Sequence, residues 1–526
     1  MSRNSTAHLF AALEAGSSDL AYEFEGQRLT WVELDERARS YANALAHAGV
    51  GKGERVAVYV ETSLELIIAL FGNYYLGAVH VPINTRYRAA EVAHILSDSQ
   101  PAAVIGDTHG NEVLDQALSA ALLARPPIRL GIGEGAQGFR FAELLAAAPG
   151  EYLRPSDDDL ALLIYTSGTT GPSKGVMLTF EAVIANMRAL TGLWTWSARD
   201  RLVLALPLFH VHGLCIGVHG AAIHQMPVLL ERRFDPVAIV ERFAEHDASI
   251  FMGVPTMYAA LVEHMGAHPD AAASLARGRL FCSGSAALSA ELWEAFVEFT
   301  DQRILERYGM SETLITLSNP YVGVRKPGSV GQPVPGCDAA VVDDKGDEVA
   351  VGESGELIVH SNGIMSGYWN LPDQTFASFI QDRDGRPWFR TGDIAIVDER
   401  GCFKIVGRSS VDIIKSGGFK ISAREIEEAL TGHPEVREVA IVGVPDAKWG
   451  ERIVVCVAPI GEVEDARRGA PALLEGLVGR HKAALADYKR PRGLYLCGEL
   501  PRNALGKLQK HRLIEAIARE GLTAEL

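Results

Sequence analysis

Through the first half of the chain, short apolar runs rich in β-branched residues alternate with longer segments of helical period. Arg55–Val60 reads as a strand, Ser63–Ala78 as a helix, Val79–Ile83 as a strand, Ala89–Ser99 as a helix and Pro101–Asp107 as a strand. Such alternation predicts a mostly parallel sheet, because parallel neighbours must be joined by crossover helices. The pattern recurs over residues 201–230 and 240–288. After Gly331 the texture changes to short strands separated by Gly and Asp (GCDAAVVDD, GELIVHS, DIAIVDE, GCFKIVG), which predicts a smaller β-rich subdomain. Beyond Gly407 the pattern is a compact α+β one: a helix over Ala423–Leu430, strands over Val436–Val444 and Arg452–Ala458, and a helix near Pro471–Leu485. The Ala-rich stretches Ala117–Ala124 and Ala142–Ala148 read as helices. The expected fold class is α/β, a large N-terminal domain of helix-flanked sheets with a β-rich subdomain, then a small α+β domain, divided near Gly407–Asp412.

Length and composition bound what such a chain can do. At 526 residues it exceeds one ordinary core, so at least two domains are expected. Hydrophobic residues make up 48% and charged residues 22%, which excludes a disordered chain. The formal net charge of -16, with no long basic run, argues against nucleic acid as a partner. The most membrane-like stretch, Leu64–Val81, is interrupted by Glu65, Asn73 and His80 and closed by Pro82. It reads as a core helix passing into a strand, so no membrane span is expected. The opening residues MSRNSTAHLF lack a signal-peptide pattern, and the six cysteines fall far apart with no CxxC spacing, so a cytoplasmic location is expected.

The densest chemical signal is YTSGTTGPSKG (Tyr165–Gly175), placed directly after the apolar strand ALLI. Glycines and hydroxyls there form a loop whose backbone N–H groups can wrap a polyphosphate, with Lys174 adding a cation. Its spacing is not that of a Walker loop. Gly171–Gly175 formally matches the G-x-S-x-G of a hydrolase, but Pro172 precedes the serine and no nucleophile elbow is indicated. His210, His212, His219 and His224 cluster in sequence, yet no Cys or acidic ligand lies near them, so core or substrate-lining roles are expected before a zinc site.

YTSGTTGPSKG resembles the phosphate-loop signature of the adenylate-forming acyl-CoA synthetases, the AMP-binding superfamily. Further matches follow in the family's order: SGSAAL (Ser283–Leu288), ERYGMSET (Glu306–Thr313), FRTGD (Phe389–Asp393), GR (Gly407–Arg408), KSGGFKISAREIE (Lys415–Glu427) and PRNALGK (Pro501–Lys507). The resemblance implies an enzyme that uses ATP and Mg²⁺ to make an acyl-adenylate and passes the acyl group to coenzyme A or to a carrier-protein thiol. It assigns Thr166, Ser167, Gly168, Thr169, Thr170, Gly171 and Lys174 to the β- and γ-phosphates. Tyr308 would stack on adenine, with Ser285 and Ala286 lining the base and Gly309, Met310 and Ser311 completing the ATP site. Glu312, with Thr169, would bind Mg²⁺. Asp393 would accept the ribose hydroxyls, assisted by Arg408. Lys507 would bridge the substrate carboxylate and the α-phosphate. The same resemblance implies that residues 1–407 form the AMP-binding domain and that residues 413–526 form a mobile domain carrying Lys507. The hinge would lie within 408–412, at Ser409, Ser410 or Val411. Gly417, Gly418 and Lys420 would then meet CoA, with Arg452 a further phosphate contact.

Within that superfamily the nearest branch resembles malonyl-CoA synthetase, through ALPLFHVHGL, GVPTMY, LFCSGSAAL and ERYGMSETLITLSNPYVG. The resemblance places His210, Val211, Ser285, Arg307 and Ile315 around the acid, Arg307 and Ser285 serving a second carboxylate. Two departures stand against malonate: Ala260 occupies the place of a second arginine, and Leu314–Leu317 is apolar. A small carboxylate or dicarboxylate such as malonate or methylmalonate is the leading expectation, with a medium-chain or aryl acid as the alternative.

Overall fold

The computed structural model describes residues 4–526 except 151, 153, 167–171, 383, 409–411, 417–418, 447, 485–486 and 503–507. The chain divides into two compact units: Met1–Ala339 with Val359–Phe389, and Ala340–Ile358 with Arg390–Leu526.

The first unit is built on two mixed sheets whose centres are parallel. In one, the strands run in the order Gln332–Pro333, Leu314–Ser318, Leu305–Met310, Leu280–Ser283, Ile250–Gly253, Leu202–Leu204, Val228–Leu230, Leu20–Phe24, Gln27–Thr30. All neighbours from Leu305–Met310 to Leu20–Phe24 are parallel, and hairpins close both edges. In the other sheet, Lys174–Thr179 pairs antiparallel with Leu160–Thr166, beyond which Val79–Pro82, Arg55–Tyr59, Ala103–Asp107 and Ile128–Ile132 lie parallel.

The expected alternation is reproduced closely, because its signals are local. The helix Leu64–Leu76 starts where the Ser63 hydroxyl accepts from Leu66 N (3.2 Å) and stops at Gly77, which takes φ 69°. Eleven of its residues are buried, which explains why it reads like a membrane segment while packing as a core helix. No described helix is long and apolar enough to cross a membrane.

The Ala-rich stretches depart from expectation. The helix Asn111–Ala120 ends at Ala120, and the second stretch supplies only the short helix Phe141–Leu144. Just past the first helix, Ser97 Oγ and Gln100 Oε1 take the N–H groups of Leu122 and Ala124 (2.9 and 2.8 Å), diverting the chain. Helix propensity is a weak prior, and these tertiary hydrogen bonds override it.

The second unit centres on a sheet of six strands in which Val436–Asp446 and Gly450–Pro459 form a long hairpin. The helices Ala423–Leu430 and Ala470–Ala484 occupy the predicted places. Its apolar core includes Ile421, Ile426, Ile441, Val455, Leu474 and Leu494. All six cysteines are free.

Candidate active site

In the first unit, the strands flanking the phosphate-loop segment pair antiparallel. Thr166 closes one strand and pairs with Lys174, which opens the next. Ser167, Gly168, Thr169, Thr170 and Gly171 lie outside the described residues. Lys174 Nζ sits 4.2 Å over the ring of Tyr368. The Tyr368 hydroxyl donates to Oε1 of Glu312 (3.0 Å), a carboxylate only 7% exposed. One aromatic side chain therefore joins the loop's cation to the expected magnesium ligand. Tyr368 carries no motif signal, and sequence reasoning missed it.

Glu312 lies in the turn of a hairpin whose first strand, Leu305–Met310, carries Arg307 and Tyr308 on opposite faces. Arg307 pairs with Ser318 and Tyr308 with Leu317 on the returning strand. Gly309 has no side-chain alternative, because a Cβ there would strike the carbonyl of Leu314. Tyr308 is half-buried, whereas Arg307 is only 4% exposed. Ile315 is buried in the second strand, its backbone held by the Asn186 amide.

Arg307 is the unusual group. Its Nε and Nη2 have no hydrogen-bond partner, and burial pushes its pKa down to about 10. The guanidinium lies against the backbone of Gly284, where a Cβ would come within 3.0 Å of its carbon, Nη1 and Nε. The glycine of the SGSAAL segment is thus explained by close approach of a cation. The next residue, Ser285, adopts φ 66°, in the left-handed region, and its Oγ lies 3.2 Å from Nδ1 of His212.

For His212 the sequence points to a core or substrate-lining role before a zinc site, without placing it around the acid. It is 4% exposed, its Nε2 has no partner, and burial, then Arg307 and His210, hold its pKa well below the ordinary value. His210 is pushed down to about 4 by burial. The other two histidines of that cluster point elsewhere: His219 to Tyr74 and His224 to Thr191 (both 2.7 Å). Among the described residues no cluster of three or more His, Cys, Asp or Glu is disposed to hold a metal ion. Val211 precedes His212 and is partly exposed, as are Ser311, Gly309 and Met310, while Ala286 is exposed.

In the second unit, Asp393 and Arg408 face each other on paired strands, Arg408 Nε donating to Asp393 Oδ1 (2.9 Å). Asp393 is 6% exposed. Gly407 takes φ 154°, and a Cβ there would lie 2.5 Å from that of Asp412. The candidate hinge residues Ser409, Ser410 and Val411, the pair Gly417 and Gly418, and Lys507 lie outside the described residues, as does the side chain of Lys420. An antiparallel bridge joins Arg502 and Leu508, on either side of residues 503–507. Arg452 is occupied by Asp446 (2.7 Å) and Glu525, which weakens its expected role as a phosphate contact. A different basic group stands out: the Arg492 guanidinium lies 3.8 Å over Trp449, and Nε of both Arg490 and Arg492 lacks a partner.

Known proteins resemble the chain over most of its length. Residues 9–369 match the AMP-binding enzyme family and residues 425–507 the AMP-binding enzyme C-terminal domain. The malonate–CoA ligase of Arabidopsis thaliana is 35% identical, the match covering 89% of this chain and 78% of that protein. The sulfoacetate–CoA ligase of Cupriavidus necator is also 35% identical, over 93% and 92%. ATP-bound MatB from Rhodopseudomonas palustris superposes with a TM-score of 0.87 at 32% identity, covering 98% of this chain and 99% of that one.

Proposed function

The chain belongs to the AMP-binding enzyme family and is an AMP-forming acid–CoA ligase, and we propose that its acid carries a second anionic group at the far end, as malonate and methylmalonate do. One observation carries this reading: a fully buried guanidinium with two unpaired nitrogens, beside a neutral histidine with a free ring nitrogen. A buried cation without a counter-ion costs several kcal/mol, and a substrate carboxylate offsets that cost. Arg307, Ser285 and His212 are then the anion's partners. The similarity to ligases of malonate and of sulfoacetate, both dianions, supports the same chemistry.

The reaction runs in two displacements. A carboxylate oxygen of the acid attacks the α-phosphorus of ATP, and pyrophosphate leaves with the electrons of the cleaved P–O bond. The CoA thiolate then attacks the acyl carbon, and AMP leaves. Lys507 bridges the two anions in the first step, where their mutual repulsion would otherwise raise the barrier. Thr166–Lys174 hold the β- and γ-phosphates, Tyr308 stacks on adenine, and Asp393 with Arg408 binds the ribose. Glu312 suits Mg²⁺, which favours one or two carboxylates plus substrate phosphates over an all-protein cage. When bound, the ion neutralises charge on the departing pyrophosphate. For the second step we propose that residues 413–526 turn about 408–412, bringing Gly417, Gly418 and Lys420 to the pantetheine arm. CoA phosphates would meet Arg490 and Arg492, with Trp449 offering a stacking face.

The test is AMP release with CoA across malonate, methylmalonate, sulfoacetate, acetate, a medium-chain acid and an aryl acid. Selective turnover of the dianions is expected. Preference for the medium-chain or aryl acid would overturn the assignment of Arg307. Offering holo-carrier protein beside CoA decides the acceptor, and Lys507→Ala should abolish pyrophosphate exchange while sparing thioester formation from supplied acyl-adenylate.

A further inference from the structure

We propose that His219, seven residues from His212 and outside the acid pocket, is a positioning residue for acid recognition, holding a π-helical turn that sets where His212 points. This rests on the reading of Arg307 and His212 as the anion's partners.

His212–His219 forms a π-helix, running on into the α-helix Gly220–His224. π-Helical turns are rare and poorer in hydrogen-bond geometry than α-helical ones, so something must hold this one open. The side chain of His219 does. Its Nδ1 lies 2.9 Å from the carbonyl of Leu214, five residues back, the carbonyl that a π turn brings under residue 219. A carbonyl only accepts, so Nδ1 carries the proton. Burial keeps the ring neutral, with its pKa pushed down to about 4, and Nε2 is therefore an acceptor. The Tyr74 hydroxyl, 2.7 Å away, donates to it. Both residues are fully buried, and Tyr74 belongs to the rigid helix Leu64–Leu76.

The turn solves a register conflict. At its C-terminal end the segment is tied to the core by His224 on Thr191 and by Gly220 packed under Trp196. At its N-terminal end it presents His212 to Ser285. Gly213 and Gly217 bring the turn close to its floor: a Cβ would lie 2.5 Å from the Pro207 carbonyl at the first and 2.7 Å from Leu204 Cδ2 at the second. Collapse to an α-helix removes one residue from the turn and rotates everything N-terminal by about 100°. His212 would then leave Ser285 and Arg307. The Tyr74–His219–Leu214 chain blocks that collapse.

Four variants test this by steady-state kinetics for acid and ATP separately, with thermal unfolding alongside. His219→Leu removes both hydrogen bonds and should raise KM for the preferred acid at least about tenfold while KM for ATP stays within about twofold. His219→Gln keeps a donor and an acceptor and should recover most of the loss. Tyr74→Phe removes one hydroxyl and should raise the acid KM by about threefold to tenfold with ATP unaffected. Arg307→Met is the control for the pocket itself. If Arg307→Met raises the acid KM but His219→Leu and Tyr74→Phe do not, or if they raise both KM values together, His219 has no positioning role. If Arg307→Met itself leaves the acid KM unchanged, the pocket assignment falls and this proposal with it. Should His219→Leu fail to fold, Tyr74→Phe alone decides.

Discussion

Replacing Arg307 by methionine should move stability and binding in opposite directions. In the free protein the guanidinium is charged but its Nε and Nη2 are unpaired, and burial pushes its pKa from the ordinary arginine range down to about 10. At about 1.4 kcal/mol per unit, that displacement corresponds to roughly 3 kcal/mol of penalty for keeping the charge in its buried site. The sign is that of a depressed base: from about 10 up to the ordinary arginine range the unfolded chain binds the extra proton, so stability rises with pH there and the penalty is carried in full at neutral pH. Methionine carries no charge and fills much of the same volume, so the free protein should gain up to roughly 3 kcal/mol, less whatever packing against Gly284 is lost. In the complex the second carboxylate would be buried without its partner, at a cost of about 3–5 kcal/mol, or about 10²–10³-fold or more in KM for malonate. The assay is acid-dependent pyrophosphate–ATP exchange against malonate and against an uncharged acid of similar length, with unfolding midpoints measured in the same buffer. A malonate KM within about threefold of the parent, or a loss of stability with equal loss for both acids, would refute the reasoning.

Gly284→Ala should act through the same guanidinium: the new Cβ displaces it, so acid KM should rise about tenfold or more with ATP binding intact, as read from separate KM values. Tyr368→Phe removes one hydrogen bond to Glu312, worth about 1 kcal/mol, so the magnesium concentration for half-maximal exchange should rise about fivefold. Four histidines shielded from water titrate well below their ordinary value: His80 (pushed down to about 3), His210 and His219 (about 4), and His212. Since the unfolded chain takes up protons first, stability is lost as pH falls from 6.5 towards 4. At pH 5.5 the four together should cost about 5–6 kcal/mol, measurable as a falling urea midpoint between pH 7.5 and 5.5, and a flat profile there would contradict their being neutral rings in the fold.

Local pattern was enough for the alternation of strands and helices and for the change of texture after Gly331. Turn glycines, capping hydroxyls and apolar period act within a few residues, so Arg55–Tyr59, Leu64–Leu76 and Ala423–Leu430 fall almost where the pattern places them. The ordered motifs likewise name the family, because their residues meet the same substrates wherever they occur. The first Ala-rich stretch resisted prediction, since hydrogen bonds to Ser97 and Gln100, more than twenty residues away, divert the chain at Leu122 and Ala124. The acid pocket was legible only in part. Arg307 and Ser285 could be named from resemblance, but nothing in the letters says that the guanidinium is unpaired or that His212 is driven neutral beside it. Those properties belong to burial and to neighbours brought together by the fold, such as His212 and Ser285, 73 residues apart in sequence. The π-helix and the Tyr368 bridge depend on the same kind of long-range placement. Local propensity selects elements; only tertiary packing decides which charges lose their water, and that is where the acid's identity is written.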